Sequence, residues 1–137
     1  MALISSKGAY GLRAMYELSL SPTNELVRIK TIAQKSNISQ NYLEQLLSSL
    51  RKAGLVESIR GAQGGYKLAK PANEITVYEV IDALEGDLEI VSQTELSDPL
   101  KLFYQECQKT LIKTLKLPLS ELHNYHERLL GQLNYVI

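Results

Sequence analysis

The hydrophobic periods of this chain predict a mainly α protein with a small β-wing, a winged helix-turn-helix followed by a long amphipathic C-terminal helix. Three observations carry that fold class. Two helical patterns, over 29–35 and 39–53, are divided by a break at Asn37 and Ile38. Two short β-runs, 55–60 and 66–69, follow at once and are joined by Gly61-Ala62-Gln63-Gly64-Gly65. Helix, tight turn, longer helix and glycine-rich hairpin is the order of a motif that reads duplex DNA. The third observation is charge. Between Arg28 and Lys70 stand eight basic residues and two acidic ones, Glu44 and Glu57, although the 137 residues carry 15 Lys+Arg and 15 Asp+Glu. Residues 1–80 hold 10 basic and 6 acidic side chains, and residues 81–137 hold 5 and 9. A basic half thus adjoins an acidic one, and phosphate attraction follows the local field rather than the total.

In chain order, the first helix is expected over 6–20, with Ala9, Leu12, Met15 and Tyr16 on its inner side. Ser6 and Lys7 stand at its N-terminal end, where a helix terminus beside a lysine suits a phosphate. Ser21-Pro22-Thr23-Asn24 reads as a turn, and Leu26-Val27 as a short strand pairing with the wing. The 29–35 helix turns Ile29, Ile32 and Ala33 to one face. The longer helix is capped by Ser39, with Asn41 and Glu44 as a second box, and ends at Gly54; Tyr42, Leu43, Leu46, Leu47 and Leu50 form its apolar face.

Asn41, Tyr42, Glu44 and Gln45 occupy the first turns, where base edges are met, and Gln40 stands beside them as a further DNA-binding residue; amides pair with adenine and a carboxylate accepts from cytosine. Glu44 equally suits a helix-dipole partner. Arg28 and Arg51 add positive charge. In the wing, Gly61 and its neighbours allow a sharp turn, Gln63 sits at the tip, and Arg60 is placed to enter a minor groove. Lys67 and Lys70 would reach phosphates from the returning strand. The loop lacks the GKS/GKT ending of a nucleotide-binding P-loop.

Thr76 with Glu79 marks a capping box for a helix over 76–84, whose stripe is Val77, Val80, Ile81 and Leu84, and Gly86 stops it. An acidic linker, 87–97, follows. Asp98 and Pro99 open the long helix, with Leu100, Phe103, Cys107, Leu111 and Leu115 at spacings of three and four. A last amphipathic helix is expected over 120–130. Cys107 is the single cysteine, so an internal disulfide is excluded; it reads as a small apolar side chain or as a redox-sensing thiol. His123 and His126, without a third ligand, do not make a metal site. No nucleophile–base arrangement suggests an enzyme. The N-terminal residues lack the apolar core of a signal peptide, and there is no stretch of 18 apolar residues, so a cytoplasmic protein without a membrane partner is expected.

Ser6-Lys7-Gly8, Tyr42-Leu43-Glu44-Gln45-Leu46, Leu50-Arg51-Lys52-Ala53-Gly54-Leu55-Val56 and Ile59-Arg60-Gly61-Ala62-Gln63-Gly64-Gly65-Tyr66 resemble the IscR/CymR-type (Rrf-two) family of bacterial transcription regulators. The resemblance is strongest over 1–86 and looser beyond. It implies a homodimeric DNA-binding protein with contacts at Asn41, Tyr42, Glu44, Gln45 and Arg60, and with Ser6 and Lys7 near the backbone. It implies a DNA-binding domain over 1–86, a linker over 87–97, and a dimerisation helix with C-terminal helix and tail over 98–137. Arg28 departs from the family, which often has a serine-type cap there.

The cluster-binding members hold three cysteines in the linker. This chain has none there, so no cofactor is expected. Members of the CymR type, similar in this respect, end in an aromatic-rich tail with terminal isoleucine and partner cysteine synthase. Tyr135, Val136 and Ile137 match that tail, and a free carboxylate suits a pocket built for an amino acid. The implied function is a repressor of cysteine or sulfur metabolism. A regulator of iron or redox homeostasis acting through Cys107 or a small ligand, and a winged helix that binds protein rather than DNA, are the alternatives.

Overall fold

The computed structural model describes residues 2–22, 24–91 and 99–136, and of Tyr135 and Val136 the backbone alone. Among the described residues six α-helices and one hairpin follow in order: α1 (Ser6–Ser19), α2 (Ile29–Ser36), α3 (Gln40–Lys52), β1 (Val56–Ile59), β2 (Gly65–Leu68), α4 (Val77–Glu85), α5 (Pro99–Leu115) and α6 (His123–Val136). Short 3-10 turns, Ala72–Glu74 and Leu119–Leu122, precede α4 and α6. The strands pair antiparallel, with Val56 opposite Leu68 and Ile59 opposite Gly65.

Local chemistry sets these boundaries. Ser5 caps α1 by accepting the Lys7 N–H at 3.2 Å. Asn37, at φ 55°, ends α2 in the left-handed conformation that asparagine tolerates. Gly54, at φ +79°, follows α3. The expected box opens α4: the Thr76 hydroxyl accepts from the Glu79 N–H at 3.1 Å, while the Glu79 carboxylate accepts from the Thr76 N–H at 3.3 Å.

One core joins α1 to α4. Met15, Ile32, Leu43, Leu46, Leu47, Leu50, Val80 and Ile81 are essentially inaccessible to water. The inner side of α1 is Gly8, Gly11, Ala14, Met15 and Leu18. Ala9 is exposed, a correction to the expected face: that face is rotated toward the two glycines, where α4 approaches α1 closely.

Three differences concern the C-terminal third. Leu88, within the expected linker, is buried, and the Gln108 amide of α5 donates to its carbonyl while accepting the Ile90 N–H at 2.9 Å. Residues 92–98 lie outside the described residues, and with them Asp98 as the expected cap of α5. Beyond α5 the chain returns to the core. Leu119 has no exposed surface, its N–H donates to the Ile75 carbonyl at 2.8 Å, and the Leu117 carbonyl accepts the Val77 N–H at 2.8 Å. The last helix starts at His123 and continues to Val136, not over 120–130, because the 3-10 turn that buries Leu119 occupies its expected first residues. Tyr135 and Val136 are therefore helical in backbone, and Ile137 lies outside the described residues.

Candidate nucleic-acid interface

Helix α3 owes its position to its buried side. With Leu43, Leu46, Leu47 and Leu50 in the core, helical periodicity turns Gln40, Asn41, Glu44, Gln45 and Arg51 to the surface. The Ser39 hydroxyl caps the helix by accepting the Tyr42 N–H at 3.3 Å. Asn41 is the second residue of the helix and so is not a second cap. Tyr42 is half-buried, its ring edge-on to that of Tyr10 from α1, with centroids 6.1 Å apart and planes at 85°.

The wing is tied to the helix pair at its base and its tip. Val27 exchanges two backbone bonds with Tyr66, each 2.8 Å, which is the expected short pairing. The Arg28 guanidinium donates to the Ala62 carbonyl at the wing tip, and Arg51 donates to the Ser58 hydroxyl at 3.3 Å. Glycine is required where backbone meets backbone. A Cβ on Gly65 would stand 2.6 Å from the Val27 carbonyl oxygen, and one on Gly64 would overlap that of Ile59. Gly64 and Gly65 thus approach the chain's own backbone closely.

Between α3 and the wing lies an open groove of about 560 Å³, reaching Glu44 and Arg51 on one side and Ile59, Arg60 and Gly61 on the other. Arg28 and Lys30 flank it at the start of α2. The structure therefore brings Arg28, Glu44, Arg51, Arg60 and Gly61 to one groove, with four cationic groups against one carboxylate. Gln40 and Ser39 border a second open groove of about 400 Å³ with Lys30, Gln34 and Asn37. Gln63 is exposed at the wing tip, and Asn41 and Gln45 on α3.

Two of the groups expected at phosphates have partners within the chain. Lys67 does not line the groove: it stands opposite Glu57 in the hairpin register, pairs with it at 3.6 Å, and borders a pocket on the other side of the strand with Lys70. Lys70 pairs with Glu79 at 3.4 Å. The N-terminus of α1 is also engaged. The Glu85 carboxylate accepts from the Ser5 N–H at 2.8 Å, the Ser5 hydroxyl at 2.6 Å and the Gly8 N–H at 3.0 Å. An internal anion already fills the place where a phosphate was expected, which leaves the exposed side chains of Ser6 and Lys7. The Ser5 hydroxyl, the two backbone N–H groups and the nearby Lys7 ammonium hold Glu85 below the usual carboxylate range, against a smaller opposing effect of burial.

Lys30, Ser58 and Ile59 line the groove but did not stand out in the sequence. Lys30 was legible as one of eight local cations; Ser58 and Ile59 depend on hairpin register and carry no charge to flag them. Among the described residues no group of three His, Cys, Asp or Glu could hold a metal ion. His123 Nε2 lies 3.4 Å from the Glu127 carboxylate, one turn on in α6. Cys107 is half-buried on α5.

Comparison with known proteins gives this groove its context. A family model described as an iron-dependent transcriptional regulator, Rrf2, matches residues 4–134. The chain belongs to the Rrf2 family. Rrf2 proteins are transcription regulators, not enzymes, and the winged-helix fold is theirs. The regulator CymR of Bacillus subtilis is 48% identical over 98 residues, covering 72% of this chain and 71% of that protein. IscR of Cereibacter sphaeroides is 48% identical over 84 residues, covering 60% and 54%; the chain thus spans about half the length of that relative. Among solved structures, CymR of B. subtilis, described as its global cysteine regulator, superposes with a TM-score of 0.81 at 41% identity over 91% of this chain and 98% of that one. IscR of T. potens gives 0.77 at 37% identity, over 91% and 88%.

The iron named by the family description does not fit an iron–sulfur site here. Such a cluster requires several thiolates, and the sequence supplies only Cys107. Among the described residues no helix is long and apolar enough to cross a membrane.

Proposed function

We propose that this Rrf2-family chain is a cytoplasmic, homodimeric regulator that grips duplex DNA in the groove between α3 and the wing and acts as a repressor. The carrying observation is the convergence of Lys30, Arg51 and Arg60 on that one groove, which Arg28 also lines. Helix α3 enters a major groove with Asn41, Tyr42, Glu44 and Gln45 toward the bases, while Arg60 enters the neighbouring minor groove. Ser6, Lys7, Ser39, Gln40, Gly61 and Gln63 border the backbone. Two-fold symmetry sets the two α3 helices about 34 Å apart on a pseudo-palindrome. Repression is favoured over activation because occupancy alone blocks polymerase, whereas activation needs a second specific contact.

A domain division at 86 and 98 belongs to the same proposal, and two observations support it: the groove is lined by residues before 67, and Leu100, Leu102, Phe103, Tyr125, Leu129, Leu130 and Leu133 of α5 and α6 are exposed. Affinity for selected genomic fragments should fall steeply with salt. Arg60→Ala should weaken binding and lower the slope of log K against log salt by about one. Unchanged affinity and slope in an anisotropy titration would remove the wing from the mechanism.

Kinship with CymR and the lack of cluster cysteines favour control of cysteine or sulfur metabolism, with cysteine synthase as partner of the Tyr135-Val136-Ile137 terminus. Because α6 reaches Val136, the captured element would adjoin the end of a helix. Deleting Ile137 should abolish co-elution with cysteine synthase; a complex that survives the deletion would refute the tail model.

A further inference from the structure

The wing tip, 60–64, stands beyond the last ladder pair, Ile59 with Gly65. Among the described residues two hydrogen bonds outside the ladder hold it. One is internal, Gly64 N–H to the Gly61 carbonyl at 3.0 Å. The other is the bond from the Arg28 guanidinium to the Ala62 carbonyl. Arg28 is itself anchored: its own carbonyl accepts the Ile32 N–H at 3.1 Å as the first bond of α2, and its neighbour Val27 is doubly bonded to Tyr66 at the wing base. Its side chain makes no capping bond to α2, the usual duty of a residue at that position.

We infer that Arg28 is a positioning residue, a strut from the start of α2 to the wing tip that fixes the wing relative to α3 before DNA arrives, and not one of the phosphate contacts. The physical case is preorganisation. A loop held by its internal bond alone samples many orientations, and each must be given up on binding unless a contact inside the free protein has already selected the bound one. A guanidinium suits the task because it is always charged and planar, so a carbonyl bonded to it is held in direction as well as distance. Lysine offers the same charge on a flexible stem without the planar fork. The strut rests on the reading of the groove as a DNA site, but its structural part is measurable without DNA.

The test compares full-length wild type, Arg28→Ala, Arg28→Lys and Arg60→Ala in two measurements. Amide hydrogen exchange of the DNA-free protein should show the 61–64 amides exchanging several-fold faster in Arg28→Ala and in Arg28→Lys, with the α3 core amides unchanged. Titration of a selected genomic duplex across a salt series should show both Arg28 variants binding on the order of tenfold more weakly with the wild-type salt slope, whereas Arg60→Ala loses about one from the slope. Wing exchange unchanged in Arg28→Ala overturns the strut. So does a slope lowered by about one in Arg28→Ala and restored by Arg28→Lys, which is the mark of a phosphate contact. Faster wing exchange with undiminished affinity overturns its role in binding. If wild type and Arg60→Ala alike show no salt-dependent binding, the DNA reading fails, and the exchange data still decide whether Arg28 holds the wing.

Discussion

At the scale of single residues, Glu85 organises more than its position suggests. One carboxylate oxygen accepts three hydrogen bonds from Ser5 and Gly8, and so ties the first turn of α1 to the last residue of α4. Those bonds favour the charged form and hold the folded pKa below its ordinary 4.5. The sign follows from linkage. A depressed carboxylate contributes stability that is fully present above the unfolded value and is lost as pH falls through the lower folded value. Glu85→Gln should therefore cost about 1 kcal/mol at neutral pH, the scale of a charge-assisted bond network partly exposed to water. Urea unfolding of both proteins between pH 7 and pH 3 checks this: the difference should shrink toward zero at the acid end, and a constant difference would assign the loss to packing. The sequence could not reveal this bond, because nothing local connects Ser5 to a glutamate 80 residues away. The caps at Ser39 and Thr76 were legible because donor and acceptor lie within one turn.

At the scale of elements, legibility followed the same divide between local and distant chemistry. Helices α2, α3 and α4 and the hairpin came from periodicity and turn residues, and their ends fell within a residue or two of expectation. The inner side of α1 was misjudged because its glycines carry no hydrophobic signal, although they are its closest contacts with α4. A Cβ on Gly11 would overlap Leu84 Cδ1, and Leu84 is buried among the core residues. Gly11→Ala should destabilise the fold by about 1–3 kcal/mol, since a packed leucine must leave its rotamer or the helices must separate. The gain in helix propensity, about 1 kcal/mol, is too small to reverse the sign in full. A lower urea midpoint with unchanged slope is the expected result; a raised midpoint would mean the α1–α4 contact yields freely. The same blindness hid Lys67. Its charge was plain in the sequence, but register placed it against Glu57 and outside the groove.

At the scale of the whole molecule, α5 serves two surfaces. Leu111 and Leu115 are partly buried against the chain's own core, and Leu119 beyond them is sealed within it. Leu100 and Phe103, from the same stripe, are 58% and 56% exposed, as is Leu102 at 61%. Tyr125, Leu129, Leu130 and Leu133 of α6 are exposed as well. Spacings of three and four marked the stripe as apolar but could not show where inward packing stops, because the turn that brings Leu119 home is set by backbone bonds to Ile75 and Val77. If the proposed dimer forms through this exposed half, dimerisation is separable from folding. Phe103→Asp changes a side chain that a lone subunit leaves in water, so the monomer should keep its helix content and core stability. In a dimer the same carboxylate would be desolvated, and the dissociation constant should rise roughly 100-fold or more. Sedimentation equilibrium should then report half the mass under conditions where wild type is dimeric. A single α3 and a single wing would contact half the phosphates, so the salt slope of DNA binding should fall to about half. An unchanged mass would place the twofold interface away from the N-terminal half of α5. A lost circular dichroism signal would show instead that Phe103 supports its own subunit.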